Sequence, residues 1–328
     1  SPSHPIIGRR GTGTAEGVNG SEGYEFCLDK VFDPYSSTDD LFRDKVQSIV
    51  RACVLDGYNA TVFAYGQTGS GKTFTMMGST NGTDDEERGV IPRAVNEVFR
   101  VISTDDEREY LLRVSYLEIY NEVLKDLLCP DPNSMSSNKL TIHENNQGRV
   151  YVNGLREEVV SHPVQVLEAL ARGEKSRHVG ATDWNERSSR SHTVFSMSRV
   201  KSGYKGARHN CTQISQLNLI DLAGSESAAS SHERRKEGAF INRSLLALST
   251  VISKLSKNEQ HIPYRDSKLT RLLQTSLGGN AKVVVICAVS ACADSVVETL
   301  STLRFARRAK MVVTQAERGT VSFFFKKK

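Results

Sequence analysis

Residues 66–73, Gly66-Gln67-Thr68-Gly69-Ser70-Gly71-Lys72-Thr73, fit the phosphate-loop pattern G-x-x-x-x-G-K-[ST] without a mismatch. The residue types in that run suit an oligophosphate. Gly66, Gly69 and Gly71 permit backbone angles and a close approach that side chains would block, so successive amides can face the anion. Gln67, Thr68 and Ser70 supply the amides between them. The Lys72 ammonium can reach the outer phosphates, and the Thr73 hydroxyl can ligate Mg²⁺. Two more polar segments follow. One is Asn185-Glu186-Arg187-Ser188-Ser189-Arg190-Ser191-His192, the other Asp221-Leu222-Ala223-Gly224-Ser225-Glu226. A carboxylate at Asp221 can hold a Mg²⁺-bound water, and an amide at Gly224 can sense a γ-phosphate. Taken alone, Asp-x-x-Gly is equally a turn after a strand, and the serine-rich run equally a polar loop.

Chemistry of this kind needs elements that aim it. Asn59–Tyr65 is a short apolar run of β-forming residues and reads as a buried strand. From Lys72 the chain can enter a helix whose N-terminus faces the anion. Ile214–Ile220 reads as a strand that delivers Asp221 beside the phosphate loop. Other strands are expected at Tyr24–Phe32, Tyr110–Tyr120, Leu140–His143, Thr193–Val200 and Lys282–Ser290. Helices are expected at Asp39–Cys53, Arg93–Ile102, Pro163–Arg172, Glu237–Ser256, Ser267–Leu277 and Val296–Lys310. This alternation predicts an α/β fold of the P-loop NTPase type, with a mixed central sheet flanked by helices on both faces. Residues 1–23 are rich in glycine and small polar residues and read as flexible, and Ser79–Gly89 reads as a polar surface loop.

The chain has 328 residues, 38% of them apolar, which is enough for one sizeable core, and no linker divides it. No apolar run approaches 18 residues and no signal-peptide pattern opens the chain, which argues against a membrane span or secretion. Six cysteines stand without metal or disulfide spacing, as expected of a reducing cytoplasm. Net charge is +5, and residues 232–271 hold nine basic against four acidic residues, an excess equal to that of the whole chain. Such a patch attracts an acidic partner, nucleic acid or protein, or is simply a solvated helix face.

In this order, the three polar motifs resemble those of the kinesin motor domain. Tyr116–Glu122, Asn242-Arg243-Ser244-Leu245, Tyr264–Arg271 and Ser276–Asn280 extend the resemblance, which runs from about Tyr24 to Lys310. Within the family the chain looks most similar to the centromere-associated kinesins and their fungal relatives. The resemblance implies ATP and Mg²⁺ as cofactors, with Ser189 joining Thr73 and Asp221 on the metal. It implies that Arg190 pairs with Glu226 when ATP is bound, closing over the γ-phosphate and helping to place water, with Ser188 and Gly224 completing the catalytic set. Phe74 stands where the family stacks a ring on adenine; a core position on the helix is the other reading.

The same resemblance lays Glu237–Ser256 and the loop Tyr264–Lys268 on a microtubule. Arg149, Arg243, Lys254, Arg265, Lys268 and Arg271 would make contact there, and no nucleic acid or membrane is implied. It further implies plus-end-directed movement in the cytoplasm, by a full-length protein that dimerises through a stalk. Two departures stand out. The family opens with a strand ending in Arg-x-Arg-Pro, whereas residues 1–23 contain Arg9-Arg10 but no such step. After Lys310, Val312–Val321 matches a neck linker only loosely, and Phe323–Lys328 looks foreign to it. A GTPase-like switch is the competing reading, although Asn138-Lys139-Leu140-Thr141 lacks the Asp of a guanine-binding segment. A microtubule-binding protein with a decayed nucleotide site is another.

Overall fold

A computed structural model describes residues 24–79, 87–129, 140–146, 148–179, 189–201, 211–226 and 232–322. Residues 1–23, the 185–188 stretch with Ser188, and the Phe323–Lys328 end lie outside them. The centre is a mixed sheet built from β1 (Ala60–Tyr65), β2 (Tyr110–Tyr120), β3 (Val123–Asp126), β6 (Glu158–Val160), β7 (His192–Lys201), β8 (Cys211–Asp221), β9 (Lys282–Cys287) and β10 (Thr320–Ser322). Its order is β3-β2-β7-β8-β1-β9, with β6 paired to β2 and β10 to β8. β1 runs parallel to both neighbours, β8 and β9, and all six of its residues are buried. A strand covered on both faces needs a continuous apolar run rather than alternation, which is why Ala60–Tyr65 reads as it does. β4 (Thr141–Glu144) and β5 (Val150–Asn153) form a separate hairpin sheet.

Alternation along β1 splits the interior in two. Ala60, Val62 and Ala64 join a core with Val46, Val50, Val95, Val98 and Leu170 on one face. Those partners come from α1 (residues 38–56), α3 (Val90–Ile102) and α4 (Pro163–Val179), with α2 (Lys72–Met77) adding Met76. Phe63 and Tyr65 point to the other face, against Leu248, Val251, Leu269, Leu277 and Phe305. These lie on α5 (His232–Ser256), α6 (Lys268–Leu272), α7 (Gln274–Leu277) and α8 (Val296–Lys310). Helices thus cover both faces. The Tyr65 and Phe305 rings stack at 3.9 Å between centroids, fixing α8 under the end of β1.

Three differences from the sequence reading have physical causes. Residues 24–32 form no strand, because no strand among the described residues pairs with them and an extended segment alone leaves its N–H and C=O groups to solvent. The segment instead touches α8, with Lys310 on Asp29 at 3.3 Å and the Arg304 guanidinium 5.9 Å from the Tyr24 ring. Helix α4 runs on to Val179, past the Arg172 end expected from the sequence. A Cβ on Gly173 would lie 2.3 Å from Cδ1 of Tyr116, so the glycine serves close helix–sheet packing. The helix expected over 267–277 is broken at Leu273 (φ −78°, ψ −4°) into α6 and α7, which keeps Leu273 buried.

Glu97 ties α3 to α1. Its carboxylate receives Arg51 at 2.5 Å and Arg100 at 2.6 Å while only 5% exposed. Burial opposes the charge, but hydrogen bonds from Arg100, Arg51 and Gln47 outweigh it and hold the carboxyl at about 2 instead of 4.5. A folded-state value below the unfolded one gives stability that is full above about pH 4.5 and is lost as pH falls towards 2. Glu97→Gln should therefore flatten the acid side of a Tm-against-pH curve measured by calorimetry. An unchanged slope between pH 5 and 2 would contradict this role.

Candidate functional site

The phosphate loop leaves β1 at Gly66, whose φ is +150° and whose absent Cβ would lie 2.1 Å from the Ala288 carbonyl oxygen. Only glycine fits between β1 and the end of β9. Lys72 opens α2 and folds back over its own loop, donating from Nζ to the Gln67 carbonyl at 2.7 Å. Burial lowers the Lys72 pKa, while Asp221 and Glu226 pull it back up. Gln67 also reaches outward, donating from Nε2 to Ser295 Oγ at 2.9 Å just before α8. Phe74, on the first turn of α2, is 54% exposed, which removes the core reading and leaves its ring free to meet a base.

Parallel pairing of β8 with β1 sets Asp221 opposite Ala64, at the mouth of the loop. Thr73 Oγ1 donates to Asp221 Oδ2 at 2.6 Å. The other carboxylate oxygen, Oδ1, is buried without a hydrogen-bond partner. Burial raises the Asp221 pKa, opposed by the Thr73 hydrogen bond and by Arg177 and Lys72. A hydroxyl and an orphaned carboxylate oxygen side by side are a donor set for a hard, oxygen-seeking cation, and Mg²⁺ fits it.

The loop after β8 is tied back on both sides. The Gly224 amide donates to the Ser189 carbonyl at 2.8 Å, and the Ser225 amide to the Gly66 carbonyl at 3.0 Å. Glu226 spends both oxygens on Thr68, accepting from its backbone N–H at 2.8 Å and from its hydroxyl at 2.5 Å. A carboxylate therefore covers one of the loop amides that an anion would use. Gly224 lies beneath this contact, since a Cβ there would be 2.3 Å from Thr68 Oγ1. Arg190, next to Ser189, is half-buried nearby in sequence, while Ser188 lies outside the described residues.

Sequence reasoning missed a buried polar frame behind the site. Arg177 of α4, 4% exposed, donates to Ser191 Oγ at 3.0 Å and faces Glu118 at 3.7 Å and Glu174 at 3.6 Å. His192, the first residue of β7, is 2% exposed and bonded through both ring nitrogens. No local pattern announces Arg177. The only sign of His192 was its place at the end of the serine-rich motif.

The basic residues fall on elements that pack together. α5 and α6 meet each other and the 3₁₀ turn Tyr264–Asp266, and α6 packs on the β4–β5 hairpin that carries Arg149. Their charges are not equally available. Arg243 and Arg265 are exposed, Arg243 donating to the Asp266 carbonyl at 3.2 Å. Lys268 is half-buried, with its amide on Glu122. Arg271 is bound to Glu144 at 2.6 Å with its side chain 16% exposed, and Lys254 to Glu259 at 2.6 Å. Among the described residues no helix is long and apolar enough to cross a membrane.

A parallel strand, a glycine loop closed by Gly-Lys-Thr, a helix and an acidic neighbouring strand end define a P-loop NTPase. The kinesin motor domain family matches residues 8–312, an extent that starts earlier than the Tyr24 read from the sequence. The chain belongs to the kinesin motor domain family. It is 49% identical over 299 residues to kinesin-like protein KIN-7D, mitochondrial, of Arabidopsis thaliana, covering 90% of this chain and 27% of that protein. It is 48% identical over 303 residues to kinesin-like protein KIN-7L of Oryza sativa subsp. japonica, covering 90% of this chain and 45% of that one. The chain thus spans less than half the length of either relative. Among solved structures, one of a fast kinesin superimposes with a TM-score of 0.81 at 42% identity, over 91% of this chain and 83% of that chain.

Proposed function

We propose that this chain hydrolyses ATP and that contact with a microtubule speeds the reaction. The observation that carries the proposal is the paired tie around the phosphate loop, Gly224 on Ser189 and Glu226 on Thr68. Both ties hold groups that a triphosphate would claim. Thr68 must release Glu226 before its amide can face a phosphate oxygen, and Gly224 must leave the Ser189 carbonyl before it can donate to a γ-phosphate. Nucleotide entry thus frees Glu226 to pair with Arg190. Lys72 would balance charge on the outer phosphates, and Phe74 offers a face for adenine. Thr73, Ser189 and Asp221 would hold Mg²⁺, which supplies charge neutralisation at the phosphates when bound. Water attacks the γ-phosphorus, the bond to the β-bridging oxygen breaks, and ADP and phosphate leave. Once paired with Arg190, Glu226 would position that water, and the proton the water loses ends on the departing phosphate.

The likeness to a structure described for its interactions with microtubules, and the basic face around α5 and α6, support a microtubule as the partner. Exposed charges are screened over about 8 Å at physiological salt, so co-sedimentation should weaken as salt rises. Replacing Arg265 and Lys268 by Ala should lower affinity by about fivefold. Arg271→Ala should do less, because Glu144 already neutralises that cation. Salt-insensitive binding, or a stronger loss at Arg271 than at Arg265 and Lys268, would place the binding face elsewhere.

A further inference from the structure

His192 stands at the junction of three elements that the proposed cycle must move together. It begins β7, three residues after Ser189. Its Nδ1 lies 3.0 Å from the Ala223 amide, in the loop that carries Gly224 and Glu226. Its Nε2 lies 2.8 Å from Ser244 Oγ, on α5, whose neighbours Leu245 and Leu248 anchor that helix in the core. The amide nitrogen of Ala223 can only donate, so Nδ1 must accept and carries no proton. In a neutral imidazole the proton is then on Nε2 and is donated to Ser244. Burial, with Arg177 and Lys72 nearby, pushes the imidazole down to about 3 and keeps it neutral in any working buffer. A second proton on Nδ1 would face the Ala223 N–H directly.

We propose that His192 is a positioning residue, a strut that passes displacement of the Ala223–Glu226 loop to α5 through its two ring nitrogens. The two contacts lie on opposite sides of one rigid ring. When Gly224 leaves the Ser189 carbonyl, the Ala223 amide next to it moves, and the ring must either follow or lose a buried hydrogen bond. Following it carries Ser244 and turns or slides α5. A buried polar contact that cannot reach water makes such coupling stiff, because an unpaired group is costly there. This inference rests on the proposed function, since α5 belongs to the microtubule-facing surface.

The test uses three variants, each of which breaks one of the two links. Ser244→Ala removes the acceptor on α5. His192→Asn keeps an acceptor near Nδ1 but cannot reach Ser244, and His192→Gln reaches Ser244 but offers Ala223 no acceptor. Each should lower the ratio of microtubule-stimulated to basal phosphate release by about tenfold. For Ser244→Ala, affinity for a fluorescent ATP analogue and the basal rate should stay within about twofold, because this hydroxyl lies on α5 and meets the ring of His192. If the His192 variants fail to fold, Ser244→Ala decides alone. Nitrogen NMR on histidine-labelled protein should show His192 with Nδ1 unprotonated and Nε2 protonated. A parental stimulation ratio in Ser244→Ala, or a proton found on Nδ1, would overturn the strut. A parent whose turnover microtubules leave unchanged would instead refute the motor reading itself.

Discussion

Lys72→Ala is expected to lower ATP turnover by about 10²–10³-fold and to weaken Mg-ATP binding sharply. Lys72 is only 7% exposed and its ammonium already sits over the loop, so no other cation can take its place without rebuilding α2. Its loss also removes a cation that lies close to both Asp221 and Glu226. The incoming triphosphate would then meet two carboxylates with one cation fewer to balance them. Calorimetric titration with ATP, followed by a phosphate-release assay, reads both effects. Unchanged affinity together with unchanged turnover would remove Lys72 from the site.

Glu226→Ala should separate binding from chemistry in the opposite sense. In this structure the Glu226 carboxylate covers the Thr68 amide and hydroxyl. Deleting it uncovers a donor that a phosphate can use and removes a negative charge from the phosphate loop. ATP affinity should therefore hold or increase, while turnover falls by at least about a hundredfold because the proposed closing partner of Arg190 is gone. Weaker ATP binding in the variant would show that Glu226 supports the empty loop rather than competing with the ligand. Parental turnover would show that the Arg190–Glu226 closure is not needed for hydrolysis.

What the sequence made legible, and what it hid, follows from how far apart the interacting residues lie. The loop at 66–73 and its flanking strand and helix could be read because the chemistry, the glycines and the hydrophobic run are contiguous. Asp221 could be placed because an apolar run ends on it, and the parallel register with β1 puts it at the loop. The last turns of α4 beyond Arg172 were not legible, because Gly173 serves contact with Tyr116, a residue far away in sequence. Residues 24–32 misled in the other direction, since strand-forming side chains do not supply a neighbouring strand. The His192–Ser244 and Arg177–Ser191 contacts were hidden because each joins separate elements. Charge counting marked the basic segment but could not tell an exposed Arg265 from an Arg271 held by Glu144, 127 residues away.

On this reading one chain holds both a phosphate-transferring loop and the surface that regulates it. Phosphate release from Mg-ATP, measured with and without polymerised tubulin at low salt, reads the coupling of loop and surface. A slow basal rate should rise with microtubule concentration to a plateau and fall back as salt is added. A rate that microtubules leave unchanged, in a protein that still binds and turns over ATP, would contradict it.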